Sequence, residues 1–211
     1  MKKPPRQRKA AAPAAPDLAA MARAVEAFLV AAGRDPRSQH LLGTPERVAE
    51  AWAEEFLDGY GRDARAALGE LYPAPGGSLG ELVVVTELRF HSMCPHHLLP
   101  YEGVAHVAYV PGKYVVGFGR LSALLDTFAH RLLLQEELAR EVASALAKEL
   151  GSPATACILE ARQACLRLRG DKQRDAVTHA EAYEGRLQTD AGLRAELWAR
   201  IAGRRGGTVS A

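Results

Sequence analysis

Cys94 and His97 stand three residues apart in Met93-Cys94-Pro95-His96-His97, a spacing from which a thiolate and an imidazole can reach one metal ion. His96, beside them, is a spare imidazole able to exchange protons near neutral pH. Zinc takes such soft and borderline ligands, and a catalytic zinc keeps one position open for water beside three protein ligands. The third ligand is expected at Cys165, in Gln163-Ala164-Cys165-Leu166-Arg167-Leu168-Arg169-Gly170. Cys157 lies about 26 Å from Cys165 if the strand between them is extended. It reads as a buried small residue rather than a fourth ligand.

Alternation along an extended 154–169 segment puts Gln163, Cys165, Arg167 and Arg169 on one face, and Ala164, Leu166 and Leu168 on the other. A thiol flanked by guanidiniums suits an anionic substrate beside a metal, because the planar fork of Arg donates two parallel hydrogen bonds to phosphate.

The elements that must position these groups follow from the rest of the chain. Its 211 residues suffice for one domain with a helical extension, and a net charge of +2 gives no case for a nucleic-acid partner. No apolar run approaches the roughly 20 residues that span a bilayer, so no membrane partner is expected. The basic start is followed by Ala and Pro rather than by the apolar core of a signal peptide. Three cysteines, two in metal-like contexts, argue against a disulfide framework and for a reducing cytoplasm.

Residues 1–16 read as a disordered basic Ala/Pro tail, 17–72 as a helical region, 73–203 as the domain carrying the site, and 204–211 as a flexible tail. Asp17 is the expected N-cap of a first helix, and Thr44 that of a second with Pro45 at its first position. Val48, Trp52, Phe56 and Leu57 mark the second helix's buried face, and a short third helix is expected at 63–71. After a Gly/Pro break at 73–80, a strand is expected at 81–90, then a strand pair at 103–110 and 113–118 turning at Pro111-Gly112. The Cys94 motif then falls in the loop between them. Helices follow at about 121–131 and 135–150, strands at 154–169 and 176–183, and a last helix at 190–203. The class is α+β.

Ser92-Met93-Cys94-Pro95-His96-His97-Leu98-Leu99-Pro100-Tyr101-Glu102-Gly103 resembles the zinc signature of GTP cyclohydrolase I. The likeness continues through Ala105–Pro111, Arg131-Leu132, Gln135-Glu136, Cys165…Arg169-Gly170 and the Thr44-Pro45-Glu46-Arg47 helix start, over residues 17 to 203. It implies the tunnelling fold, in which antiparallel hairpins and paired helices assemble into a toroidal homo-oligomer, commonly a decamer, with sites between subunits. It implies hydrolysis of GTP to formate and dihydroneopterin triphosphate by zinc-activated water attacking C8 of guanine. Position by position, Cys94, His97 and Cys165 would hold Zn2+, and His96 would move protons as the imidazole ring opens. Glu136, with Gln135, would hold the base, Arg120, Arg131 and Arg169 the triphosphate, and Ser92 would also bind substrate.

The chain departs from that pattern at the reacting centre and at the phosphate end. Gln163 stands where the family has a catalytic His, and an amide exchanges no proton near neutral pH. Ala123 replaces a phosphate-binding Arg, and Pro95 a Glu. Three readings follow: the family reaction with a substitute group such as His91 or His179, a zinc hydrolase opening a less phosphorylated guanine compound or stopping at the formamidopyrimidine, and a non-catalytic binding oligomer with structural zinc. His106 is expected to be structural, His130 to lie on a helix surface, and His40 to stand alone.

Overall fold

The computed structural model describes residues 15–74, 81–169 and 173–205 and divides into two compact units, Met1–Glu55 and Phe56–Ala211. Residues 1–14 of the expected tail, 75–80 of the Gly/Pro break, 170–172 and 206–211 lie outside the described residues.

In the first unit, α1 (Leu18–Ala31) starts as its sequence requires. The Asp17 carboxylate accepts from Ala20 N at 2.9 Å, satisfying one of the amides that a helix start leaves open. α2 (Thr44–Ala51) packs along α1. Its cap is Gly43 rather than Thr44: Gly43 takes a left-handed φ of 73°, and Thr44 is already helical, its hydroxyl accepting from Arg47 Nη2 at 3.0 Å. Pro45 and Ala49 are the residues α2 buries, and the expected stripe is cut short where Trp52–Phe56 widen into a π-helical turn.

The second unit opens with a 3-10 turn (Asp58–Gly61) and α3 (Ala64–Leu68), both packed on α4 (Phe118–Ala129). This is why the division falls between Glu55 and Phe56 and not at residue 72. A four-stranded antiparallel sheet follows, in the order β2 (Val83–Cys94), β3 (Leu99–Tyr109), β5 (Ala154–Gln163) and β6 (Thr178–Gly185). α4 and α5 (Gln135–Leu150) cover one face, where Leu121, Leu124, Leu125, Leu138, Val142 and Leu146 are all 0% exposed. After the short helix α7 (Arg186–Thr189), α8 (Ala191–Arg205) covers part of the other face, burying Leu193, Leu197 and Ile201 against Ala108, Ala156 and Ile158.

Two strand expectations are corrected. β4 (Tyr114–Val116) does not turn back on β3 at Pro111-Gly112 but pairs with β1 (Leu71–Pro73). Both edges of β3 are taken, by β2 and β5, so no ladder remains for β4 there. The strand expected over 154–169 stops at Gln163, and α6 (Ala164–Leu168) follows. Gln163 lies opposite Tyr101, Pro100 is next in line without an N–H to donate, and β3 begins at Leu99.

Gly103 sits where β3 crosses β5, and a Cβ there would lie 1.9 Å from the Glu160 carbonyl. Gly103→Ala is expected to cost about 3 kcal/mol or more by forcing the central strands apart, read as a lowered midpoint in reversible thermal unfolding.

Candidate active site

β2 ends on Cys94, Pro95–Leu98 make the turn, and β3 begins at Leu99. The motif is therefore the turn of the β2–β3 hairpin itself rather than a loop before one. Leu98 N donates to Cys94 O at 2.9 Å, and Leu98 adopts a left-handed φ of 52° to close it. Cys94 is 8% exposed, whereas His96 and His97 are exposed with their rings edge to face.

Two positions up the ladder, Ser92 faces Tyr101 and Tyr101 faces Gln163. Directly opposed residues share a face, so these three side chains stand together beneath α4 and α5. Tyr101 is 1% exposed and donates to Leu133 O at 3.0 Å. Burial pushes its phenol up to about 12, a hydrogen bond with Ser92 pulls it down, and the charges of Cys94, Glu136 and Glu137 push it up. It is a neutral donor at physiological pH, and the groups that act on it are those gathered at this end of the sheet. No motif spacing or charge pattern marks Tyr101 out in the sequence. Its signal was a hydroxyl-bearing aromatic three residues beyond the turn, on the same face as Gly103.

α5 brings the next group. Its first residue, Gln135, is 5% exposed and hydrogen-bonds entirely within the protein. Its Nε2 donates to Leu159 O at 3.0 Å and Thr178 O at 3.1 Å, and its Oε1 accepts from Gln163 Nε2 at 2.9 Å and Thr178 Oγ1 at 2.6 Å. Glu136 follows, exposed, in the first turn, where the helix dipole favours a carboxylate. Cys165, partly exposed, lies two residues past Gln163 in α6, at the same end of the sheet as Cys94. The helical turn removes the shared strand face expected for Gln163, Cys165, Arg167 and Arg169. Arg167 Nε instead donates to Arg174 O at 3.3 Å, and Arg169 is exposed at the helix end. Cys157 is 0% exposed, and burial drives its thiol far up, as suits a core residue.

His179 is not brought to this face. It pairs with Glu160, while Thr178 pairs with Ala161 and reaches Gln135. His106 is 4% exposed, with Nε2 3.5 Å from the Glu160 carboxylate. Arg120 is exposed in the first turn of α4, its guanidinium beside Gly69. Ser92 is 1% exposed, and its hydroxyl donates to Arg131 O at 3.4 Å. Arg131 is half-buried over the Phe128 ring; its Nε donates to Gly59 O at 2.9 Å and its Nη2 to Arg62 O at 3.2 Å.

His130 corrects the expectation of a surface position. It is 8% exposed, and its Nδ1–H donates to Asp58 Oδ1 at 2.8 Å. Its ring lies 4.7 Å from that of His91, and Asp58 also pairs with Arg62. His130 caps α4 where the 58–62 turn folds over it, and a lone His before an Arg carries no sign of a partner 72 residues away.

Among the described residues, no three His, Cys, Asp or Glu side chains are grouped so as to hold a metal ion as they stand. The donor chemistry is of the kind zinc takes, two thiols and an imidazole, and these lie on the β2–β3 hairpin turn and on the helix after β5, at one end of one sheet. Among the described residues no helix is long and apolar enough to cross a membrane.

A model of the family described as GTP cyclohydrolase I matches residues 21–202. The GTP cyclohydrolase 1 of Leifsonia xyli subsp. xyli is 43% identical over 185 residues, 88% of this chain and 95% of that protein. Those of Chromobacterium violaceum and Corynebacterium glutamicum (strain ATCC 13032) are 39% and 40% identical, over 84% and 85% of this chain and 85% and 91% of theirs. The family match runs from within α1 to within α8.

Asp126 lies in the cluster with His130, His91, Arg62 and Asp58. Burial raises its carboxyl above the usual range, His130, Arg62 and His91 pull it down, and Asp58 adds to the rise. A raised acid favours folding while protonated and loses that contribution as pH climbs through its folded value. Asp126→Asn is therefore expected to raise the melting temperature at pH 7, with the gain vanishing toward pH 4, in a series of thermal melts.

Proposed function

The chain belongs to the GTP cyclohydrolase I family, and we propose that it hydrolyses GTP, excising C8 of the guanine as formate and leaving dihydroneopterin triphosphate. The observation that carries this reading is the convergence of the Cys94 turn, the Gln163–Cys165 segment and the start of α5 at one end of the sheet. Held by Cys94, His97 and Cys165, a zinc ion would supply Lewis acidity and a water acidic enough to attack at neutral pH.

The chain's own residues supply the rest. Glu136, exposed in the first turn of α5, accepts the N1–H and 2-amino hydrogens of guanine, a pairing open to a carboxylate and closed to a backbone donor. His96, exposed beside the ligands, moves protons as the imidazole ring of the base opens. Arg120 and Arg169, both exposed, meet the triphosphate. Arg131 and Ser92 act behind them. Arg131 ties the linker before α5 to the 58–62 turn, and Ser92 holds the Arg131 carbonyl. Each copy also ends its sheet on two edge strands, β2 and β6, through which neighbours would close a ring such as the family's decamer and complete the sites between subunits.

Gln163 favours a second reading of the endpoint. An amide held by Gln135 cannot pass a proton, so the reaction would stop at the ring-opened formamidopyrimidine. Incubating the zinc-loaded protein with GTP, GMP, guanosine and guanine, and weighing the products, separates the two. Formate with dihydroneopterin triphosphate is expected, whereas a gain of one water without loss of formate would establish the earlier stop. Gln163→His is expected to raise neopterin formation; an unchanged or lower rate would show that the site is tuned to the amide. Cys94→Ser and Cys165→Ser are each expected to lose stoichiometric zinc, and full zinc content in both variants would remove them from the ligand set.

A further inference from the structure

Gln135 fixes which way Gln163 faces. The two partners of Gln135 Nε2, the Leu159 and Thr178 carbonyls, can only accept, so the NH2 end of Gln135 has one possible orientation. Its Oε1 must then face Thr178 and Gln163, and an oxygen there demands donors. Thr178 Oγ1 supplies one at 2.6 Å, and Gln163 Nε2 the other at 2.9 Å. All four hydrogen-bonding positions of the Gln135 amide are thereby used inside the protein, leaving none to read a ligand. Gln163, with its NH2 turned toward Gln135, directs its carbonyl oxygen away from it. Among the described residues the Gln163 side chain makes no other hydrogen bond.

We infer that Gln135 is a positioning residue whose buried amide sets the polarity of Gln163, so that Gln163 offers the purine site a fixed, uncharged acceptor. This rests on the guanine-nucleotide reading above and names what the site asks of its ligand at this point: an N–H or O–H donor. An imidazole in the same place could present either a donor or an acceptor as it changed tautomer or charge. The amide cannot. A pocket with one immovable acceptor rejects a ligand that offers only a lone pair there, because two acceptors would face each other unpaired.

The test is equilibrium binding of GTP to the zinc-free protein by calorimetry, which needs no turnover. Gln163→Met and Gln135→Met are each expected to weaken binding about tenfold, the loss of one well-made hydrogen bond. The double variant is expected to do no worse than either alone, because both act through one bond. Thr178→Val supplies a comparison that a merely structural role does not give. It removes the other donor to the Gln135 oxygen and leaves the Gln135–Gln163 bond in place, so binding is expected to stay within about twofold of wild type. Additive losses, or a Thr178→Val variant that binds as weakly as Gln135→Met, would overturn the relay while leaving the function intact. Should Gln135→Met fail to fold, the comparison of Thr178→Val with Gln163→Met decides alone, equal losses overturning the relay. A wild-type protein that does not bind GTP overturns the functional reading and this inference with it.

Discussion

The hydroxyl of Tyr101 donates to the carbonyl of Leu133, and through that bond the central strand sets the position of α5. Leu133 lies in the linker between α4 and α5, two residues before Gln135, so the start of α5 is held over the row Ser92–Tyr101–Gln163. The phenol can serve because it is buried and neutral, its acidity pushed to about 12 by desolvation. Ser92 reinforces the same linker from the neighbouring strand through the Arg131 carbonyl. Gln135 then knits α5 to β5 and β6. Each link crosses between elements distant in sequence, and each places a polar group where a core of leucines alone would leave the helix free to slide.

Much of this was legible from residue types. α5 runs over Gln135–Leu150 as expected, because one apolar face and a left-handed glycine stop mark it clearly. The first helix begins at Asp17 for the same kind of reason. Cys94, expected in a loop beyond a strand ending at residue 90, instead ends β2, while the α+β class did follow from pattern. Strand pairing did not. The turn residues Pro111-Gly112 announce a reversal but not its partner, and only the occupancy of both β3 edges sends β4 to β1. Ala164–Leu168 alternates well enough for a strand and is too short for helical period to show, so the choice fell to where β3 runs out.

Side-chain roles divide along the same line. Cysteine spacing could suggest Cys94 and Cys165 because thiols are rare and chemically distinctive. Arg131 was expected at the triphosphate and His130 on a helix surface, yet both are turned inward onto the 58–62 turn, one through backbone carbonyls and the other through Asp58. Gly59 permits this approach: a Cβ there would meet the Thr127 and His130 carbonyls at 2.7 Å. No local pattern near residue 130 carries that information, which resides in the length and shape of a segment folded back from far upstream. An arginine at a phosphate-like position can thus be spent on holding the scaffold.

The turn between Cys94 and Leu99 constrains its own length as well as its chemistry. Pro95–Leu98 span the gap with one backbone hydrogen bond and a left-handed leucine, so the loop has no slack. One inserted or deleted residue would shift the β2–β3 register by one and turn Tyr101 to the opposite face of the sheet. Tyr101 would then lose the Leu133 carbonyl, and α5 its anchor. Chains that share this architecture are therefore free to exchange side chains within the motif, as Pro95 illustrates, but not to change the number of residues in it.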